Sequence, residues 1–476
     1  MLSFVLEKAA QGKLISDIHV YKFEELYVML DVNSGSIHVV DEIAWSIVEA
    51  AKASRGQEDV FWRLLRPYPE EQINDVLGEL HHLVDEGLWF AEDTVGTSEP
   101  VRALDNVIKS LCLHVSHDCN LSCRYCFAGT GSFGGSRKHM SLEVGKKALD
   151  FLLDNSGLRP TCEVDFFGGE PLLNWPVVKE LVNYGKKEAS KRGKTIKFTL
   201  TTNGLLLSPD KEDFLNGENI SVVLSLDGRR EAHDQMRPLA SGSGSFDLVA
   251  PRIKSLVSSR QGNNYYIRGT FTRFNLDFAR DVLFLADEGF TEISLEPVVA
   301  SPQEDYSFKT EDMPRLAEEY RVLAREYLQR RKLGRAFNFF HFNVELEKGP
   351  CLAKRITGCG AGYQYLAVTP DGDLYPCHQF VGNHDYLLGD LQKGIIKHSL
   401  VDGFKRAHIY NKQCKECWAR YHCSGGCHAN AVNHNGDIGI PYEMGCFLQK
   451  VRIEAAIYLF IKERGRLVLD NQDSAC

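Results

Sequence analysis

The feature that most constrains this chain is a cysteine triplet at Cys119, Cys123 and Cys126, directly after a strand-like apolar run, Leu111–Ser116. Three thiolates on one short loop can hold three irons of a cubic 4Fe-4S cluster and leave the fourth iron open to another ligand. Electron-carrier clusters usually have every iron bound by cysteine. Zinc sites more often use paired two-residue spacings. The spacing therefore favours a reactive cluster, with zinc as the alternative.

Composition limits the class of protein. The 476 residues, 43% of them hydrophobic, can form packed cores, and this length predicts about two to four domains. There is no apolar run of transmembrane length and no signal-peptide pattern, so we predict a cytoplasmic protein with no membrane partner. A net charge of −9 without a basic block argues against nucleic acid. In a reducing compartment, fourteen cysteines indicate metal or redox chemistry.

The middle of the chain alternates strand and helix patterns. Six such repeats predict a parallel sheet with right-handed crossovers. A parallel barrel places its chemistry at the C-terminal ends of the strands, which is where the polar motifs of this chain fall. The candidate strands are Leu111–Ser116, Glu163–Phe167, Lys197–Thr201, Ser221–Leu226, Tyr265–Thr272 and Glu292–Pro297. A polar surface helix is predicted at Met313–Arg335, and a last helix, Phe447–Arg464, is expected to dock on the core.

The first hundred residues predict a separate small module. Short strands at Tyr27–Leu30 and Ile37–Val40 flank a turn, and helical patterns follow, including Pro69–Gly87. A hairpin followed by three helices predicts a winged-helix-like unit, with Gly96–Pro100 as a linker. Acidic residues crowd this unit and oppose contact with DNA phosphates. Packing or dimerisation is the simpler alternative role.

A second field of cysteines lies near the C-terminus. It runs Cys359-x12-Gly-x4-Cys377, then Cys414-x2-Cys417-x5-Cys423-x3-Cys427, and ends with Cys446. One structural zinc on the 414–427 stretch would leave the flanking cysteines without a role. Because this region has few apolar runs, we expect metal ligation to supply much of its stability.

Together these motifs resemble those of radical S-adenosylmethionine (SAM) enzymes with a SPASM domain. In that family the open iron of the first cluster binds SAM, and one electron splits SAM into methionine and a 5′-deoxyadenosyl radical. The resemblance implies an α/β fold with a partial (β/α)6 barrel. It implies a winged-helix-like leader-peptide recognition element at 1–98, the barrel at 99–335, the SPASM domain at 336–450, and a C-terminal helix and tail at 451–476.

The resemblance also implies which residues contact SAM. Gly168-Gly169-Glu170 matches the family's motif for the SAM amino group, and the aromatic residue before the last cysteine is typical. The family's glycine-rich motif on the fifth strand is not literal here, because Tyr-Ile-Arg268-Gly-Thr occupies its place. For Asn203, a turn cap is an equal alternative. The predicted SAM-binding residues are Tyr125, Gly168, Gly169, Glu170, Asn203, Ser225, Asp227 and Arg237.

For the second field, the resemblance implies two auxiliary 4Fe-4S clusters. One is bound by Cys414, Cys417, Cys423 and Cys446, and the other by Cys359, Cys377 and Cys427. Cys351 is the possible fourth ligand of the latter. Without that ligand an open iron could bind and acidify a substrate thiol. His378 could accept a proton near the substrate or donate a hydrogen bond to cluster sulfur. The predicted catalytic set is Cys119, Cys123, Cys126 and His378.

From end to end the chain most resembles the maturases of SCIFF peptides. The runs Cys126-Phe-Ala-Gly-Thr-Gly, Asp165-Phe-Phe-Gly-Gly-Glu-Pro and Tyr375-Pro-Cys377-His-Gln-Phe-Val-Gly carry this resemblance. Such enzymes oxidatively join a cysteine sulfur to a threonine carbon within a ribosomally synthesised Cys-rich precursor peptide. The resemblance thus implies thioether formation in a peptide bound through its leader at the N-terminal module. A flavodoxin- or ferredoxin-type electron donor is the expected redox partner.

Two alternatives stay open at this point. An anaerobic sulfatase-type maturase, which makes formylglycine, shares the barrel and the SPASM motif. It needs no leader-docking module, however, and commonly has aspartate where this chain has His378. A multi-cluster electron-transfer protein would have no need for the Gly168–Pro171 motif or the six-repeat barrel.

Overall fold

The computed structural model of the chain describes residues 1–93, 107–346 and 356–473, with side chains up to residue 464. The predicted linker Gly96–Pro100 and the possible ligand Cys351 lie outside the described residues. Within the described ranges, no helix is both long enough and apolar enough to cross a bilayer.

The N-terminal unit combines a small antiparallel sheet with helices. The strands β1 (Ile18–Phe23), β2 (Leu26–Asp31) and β3 (Ile37–Val40) are ordered β1-β2-β3. The hairpin and the helices after it agree with the sequence prediction, but β1 and the helices before it were missed. The sequence of β1, Ile-His-Val-Tyr-Lys-Phe, has the β-branched and aromatic composition of a strand, and this signal could have revealed it. The helices are Leu2–Ala10, Lys13–Ser16, Glu42–Ser54, Glu58–Leu64 and Glu70–Asp85.

The centre of the molecule is one large sheet whose six middle strands are parallel. This confirms the predicted parallel core and places the crossover helices outside it. The strands are β4 (Ser110–Ser116), β5 (Thr161–Gly168), β6 (Thr195–Thr202), β7 (Ser221–Ser225), β8 (Tyr265–Phe271) and β9 (Glu292–Pro297). The helices of this region are Leu142–Asp154, Trp175–Lys191, Pro209–Gly217, Arg230–Met236, Phe246–Ser259, Phe278–Asp287 and Met313–Lys332.

The region after residue 336 extends this sheet on both sides. β10 (Asn338–Phe339) pairs with β9, and β11 (Tyr365–Val368) pairs in parallel with β4. Three short antiparallel strands continue beyond β11, namely β12 (Asp373–Tyr375), β13 (Gly389–Asp390) and β14 (Gly394–Ile395). The second cysteine field is therefore joined to the barrel through main-chain hydrogen bonds. The remaining helices are His398–Arg406, Arg420–Cys423, His428–Asn435 and Glu443–Asp473.

The strands of the parallel sheet have two different faces. Along β5, Cys162, Val164 and Phe166 are buried against the helices, while the residues between them are more exposed. Successive side chains of a strand point to opposite faces, so Asp165 and Phe167 face the interior of the barrel. We call this interior the barrel lumen.

Met313–Lys332 is not the surface helix that the sequence predicted. Leu316, Tyr320, Leu323 and Tyr327 are buried on one of its sides, and the C-terminal helix packs against it. The helix is rich in charged residues, so its overall composition suggests a polar helix. Its apolar residues nevertheless recur at helical spacing and form a stripe along one side. The docking predicted for the last helix is confirmed.

The N-terminal unit contacts the second cysteine field directly. The buried guanidinium of Arg420 donates to the Ser16 carbonyl (2.7 Å) and to Asn33 Oδ1 (2.6 Å). The ring of Trp418 stacks on His19 with 3.6 Å between ring centroids. Arg420 follows Cys417 by three residues. A structural change in the N-terminal unit at this contact can therefore alter the position of Cys417, and the reverse also holds.

Candidate active site

The first three predicted cluster ligands lie on the loop that follows β4. The thiols of Cys119, Cys123 and Cys126 are partly buried and close enough to interact electrostatically. Burial raises the pKa of Cys119 to about 12 and that of Cys123 to about 11, which keeps both protonated without a metal. Bound iron would supply the positive charge that ionises them. The donor set therefore fits a cluster held by three cysteines.

Two glycines at the end of β5, Gly168 and Gly169, hold this loop in place. A Cβ at Gly168 would lie 2.1 Å from the Ser116 carbonyl oxygen, and one at Gly169 would lie 2.2 Å from that of Asp118. The same carbonyls accept hydrogen bonds of 2.8 Å from the amides of Gly169 and Glu170. Only glycine allows such a close approach, so the pair packs against the cysteine loop. Their contact with SAM stays a prediction.

Glu170 is fully buried and its carboxylate is fixed by protein donors. It accepts hydrogen bonds from Leu172 N (3.0 Å), Thr202 Oγ1 (2.8 Å) and Asn203 N (2.9 Å). Burial raises the pKa of Glu170 to about 7, although these hydrogen bonds oppose the rise. Asn203 Nδ2 lies 3.7 Å from the sulfur of Cys119. Glu170 thus positions Asn203 beside the cluster loop, and cofactor contacts by either residue stay predictions.

A buried network links the cysteine loop to the end of β7. The Tyr125 hydroxyl donates to Asp227 Oδ2 (2.5 Å), while Arg237 Nε (2.9 Å) and Thr270 N (2.8 Å) donate to Asp227 Oδ1. Arg237 also lies near Cys123 and lowers the pKa of its thiol, against the larger opposite effect of burial. The structure thereby joins three predicted SAM-binding residues into one charged unit.

Two polar residues of the lumen were missed by the sequence analysis as site residues. Arg268 on β8 pairs in register with Ser225, a predicted SAM-binding residue that is half-buried. The exposed Arg268 guanidinium has no side-chain hydrogen bond or ion pair within the described residues. Asp165 has a buried Oδ1 without a partner; burial raises its pKa to about 7 and Arg268 opposes this. The alternation of polar and apolar residues along β5 and β8 is the signal that could have revealed both.

His378 lies where the two cysteine regions meet. Its Nδ1 is 3.0 Å from the Tyr365 hydroxyl, and its ring centroid lies 5.7 Å from that of Phe127 and 5.1 Å from that of Phe167. Phe127 directly follows the last cysteine of the first loop. Burial lowers the pKa of His378 to about 4, so the ring is neutral at pH 7.

The cysteines of the second field form two groups, and the members of each group lie close enough to interact electrostatically. No set of three or more Cys, His, Asp or Glu side chains in the described ranges closes around a single metal ion. Burial raises the pKa of Cys377 and that of Cys414 to about 12. The groups are Cys359, Cys377 and Cys427, and Cys414, Cys417, Cys423 and Cys446. Their thiols fit cluster ligands, and ligation itself stays a prediction, as it does for Cys351.

Family models match both cysteine regions. A 4Fe-4S single cluster domain matches residues 109–247, and the SPASM iron-sulfur cluster-binding domain matches residues 359–418. The barrel and its cysteine groups thus define an iron–sulfur protein with at least two cluster-binding regions.

Similar proteins cover most of the chain. The radical SAM cyclopropyl synthase TigE of Paramaledivibacter caminithermalis is 24% identical over 89% of this chain and 90% of its own length. The subtilosin biosynthesis protein AlbA of Bacillus subtilis is 27% identical over 67% of each chain. A cysteine-type anaerobic sulfatase-maturating enzyme of Clostridium novyi is 24% identical over 66% of this chain and 86% of its own.

Solved structures share the fold. The structure of anSMEcpe with bound AdoMet has a TM-score of 0.64 at 22% identity, covering 75% of this chain and 96% of its own. Streptococcus suis SuiB bound to the precursor peptide SuiA has a TM-score of 0.50 at 17% identity, covering 90% and 98%. The chain thus combines a 4Fe-4S single cluster domain with a SPASM domain, and it is similar in sequence to radical SAM and peptide-maturing enzymes.

Proposed function

We propose that this protein forms intramolecular thioether cross-links, from a cysteine sulfur to a threonine carbon, in a Cys-rich precursor peptide in the cytoplasm. The observation that carries the proposal is the contact of His378 with Phe127 and Phe167. Through this contact the residue that follows Cys377 lies beside the residue that follows Cys126, which supports an arrangement in which both cysteine regions border the barrel lumen. A peptide in the lumen could then present a thiol to one side and a carbon to the other.

Residues at the C-terminal ends of the barrel strands would hold the cofactors. Cys119, Cys123 and Cys126 would bind the first cluster, and the network around Asp227 would orient SAM. When bound, these groups supply a 5′-deoxyadenosyl radical that takes one hydrogen atom from the acceptor carbon. The anSMEcpe structure contains AdoMet, which supports SAM as the cofactor here.

His378 is placed to accept the proton of the substrate thiol. Because the imidazole is neutral and the Tyr365 hydroxyl fixes its orientation, one ring nitrogen can act as a base. The group of Cys359, Cys377 and Cys427 would hold an auxiliary cluster beside His378, and this cluster would supply iron that can interact with the thiolate and accept the surplus electron. Carbon–sulfur bond formation then releases one electron, which replaces the electron used to cleave SAM. The oxidation therefore balances without oxygen.

The N-terminal unit would bind the leader of the precursor. β3 is an edge strand of its sheet, and Val39 on it is 53% exposed. An unpaired edge can accept an extended peptide as an additional strand. A leader bound there would tether the core of the peptide to the barrel. SuiB, which has the same fold, was solved with its precursor peptide.

Mass spectrometry of the precursor tests the proposal. The reconstituted enzyme is incubated anaerobically with SAM, dithionite and the peptide. We expect 5′-deoxyadenosine and a peptide that has lost two hydrogens per bridge, with the bridged thiols resistant to alkylation. A peptide oxidised at one side chain, with every remaining thiol still alkylated, would contradict the proposal and favour formylglycine formation. Absence of 5′-deoxyadenosine would exclude radical chemistry and leave electron transfer.

A further inference from the structure

Lys412 is a buried cation with no carboxylate partner. Lys412 is only 5% exposed. Its Nζ donates a hydrogen bond to the Gly425 carbonyl at 2.9 Å and lies 3.1 Å from His428 Nδ1. Among the residues that the structure describes, no Asp or Glu oxygen lies within ion-pair distance of this ammonium. A buried ammonium is costly unless negative charge balances it.

The second hydrogen-bond partner of Lys412 carries no charge. An ammonium has only N–H donors, so Nδ1 at 3.1 Å must be the acceptor of this contact and therefore carries no proton. The imidazole is therefore neutral and accepts a hydrogen bond through Nδ1. The balancing charge has to come from elsewhere.

Lys412 lies beside predicted ligands of both auxiliary groups, because the Gly425 carbonyl that it binds stands between Cys423 and Cys427 and because Cys414 follows Lys412 by two residues. Ionisation of any of them favours the charged lysine. Bound clusters would turn these thiols into thiolates. The thiols that interact with Lys412 are Cys414 and Cys423 of one group, and Cys359 and Cys427 of the other.

We propose that Lys412 is a shared positioning residue whose fixed positive charge stabilises the reduced state of both auxiliary clusters. Added negative charge on either cluster interacts more favourably with a nearby buried cation, so Lys412 raises both reduction potentials together. A cation next to both clusters therefore shifts the two potentials in the same direction. This inference requires the two auxiliary clusters and is independent of the product that the enzyme makes.

Gly425 suits the contact with Lys412 through its backbone conformation and its lack of a side chain. It has a φ of +84°, and a Cβ there would lie 3.2 Å from Lys412 Cδ and 3.4 Å from Nζ. The glycine both allows the left-handed backbone and leaves room for the lysine to reach the carbonyl. The Cys423-Ser-Gly425-Gly-Cys427 turn thus brings ligands of both groups to one cation.

Redox titration of the anaerobically reconstituted full-length protein, followed by electron paramagnetic resonance, tests this role. Lys412→Met is compared with Lys412→Arg and with Lys415→Met, which removes an exposed lysine from the same loop. We expect both auxiliary potentials to become more negative in Lys412→Met and to stay near the parent values in the other two. Iron and sulfide content is measured in every sample.

Unchanged auxiliary potentials in fully loaded Lys412→Met would overturn the proposal, and a shift of one cluster alone would overturn the shared role. If the Met variant does not retain auxiliary iron, Lys412→Gln is titrated under the same criteria. Loss of iron from both neutral variants, with full loading of Lys412→Arg, would support the need for the charge. Equal loss from all three would show a purely steric role and overturn the proposal.

Discussion

The two cysteine regions of this molecule are built in different ways. The first cysteine loop is positioned by protein contacts that form without metal. Gly169 packs on the backbone of the loop, and the buried Asp227 binds Tyr125 and Arg237. The second field has strands of two to four residues and a single buried lysine between its two thiol groups. A site that must orient SAM benefits from preorganisation. Sites that carry electrons can depend on the metal for their structure.

The sharpest way to separate the two regions is to remove one ligand from each. Cys126→Ala should abolish 5′-deoxyadenosine formation, a loss of more than about a hundredfold, because no other described side chain replaces that thiolate. Its melting temperature should change little. Cys414→Ala should keep cleaving SAM without peptide while losing auxiliary iron and stability. Equal effects of the two variants on melting temperature would contradict the difference between the regions.

Removal of all iron should unfold one region before the other. In chelator-treated protein, we expect faster amide hydrogen exchange across residues 414–446 and continued protection of β4–β9 and of β11, because the apolar core of the barrel extends into β11, which pairs with β4. Hydrogen-exchange mass spectrometry before and after chelation measures this. Loss of protection in β5 and β6 as early as in the cysteine field would refute the preformed scaffold.

A single methyl group should disturb the first loop. Gly169→Ala places a Cβ 2.2 Å from the Asp118 carbonyl, so the loop must shift. We expect a destabilisation of about 1–3 kcal/mol and incomplete loading of the first cluster with the auxiliary clusters intact. Gly217→Ala is the control, because nothing lies within 4 Å of its Cβ position. Denaturant unfolding and iron analysis distinguish the two variants.

The smallest expected effect is a loss of folding stability at acidic pH, caused by protonation of His233 next to Asp227. Burial lowers the pKa of His233 to about 4, and its Nδ1 accepts a hydrogen bond from the Asp227 amide (3.3 Å). Because the pKa of this histidine is lower in the folded protein, the unfolded chain binds a proton at a higher pH than the folded protein does. Stability is therefore complete above about pH 6.5 and falls as the pH drops towards 4, by up to about 2 kcal/mol at pH 5.

This dependence is checked by thermal unfolding at pH 7 and pH 5. His233→Gln removes the titrating group while keeping an acceptor, so its melting temperature should fall less over this interval. An identical fall in both proteins would assign the acid sensitivity to other histidines.

Much of the barrel was predictable, because each strand from β4 to β9 has its own apolar pattern and the cysteine spacings are local. β1 and β11 show the limit. β1 has the composition of a strand, but its sequence does not show that it pairs with β2. In the same way, nothing in the sequence of β11 shows that it joins β4. The polar pattern of β5 and β8 was visible, yet only the curved, assembled sheet brings Asp165 and Arg268 into one lumen.

The sequence by itself determined the grouping of thiols along the chain and the alternation that makes a parallel sheet, since both are properties of neighbouring residues. Only the tertiary structure placed His378 against Phe127 and Lys412 between two thiol groups. These contacts join residues far apart in the chain or on different loops. They depend on strand register and crossover paths, which no local pattern encodes.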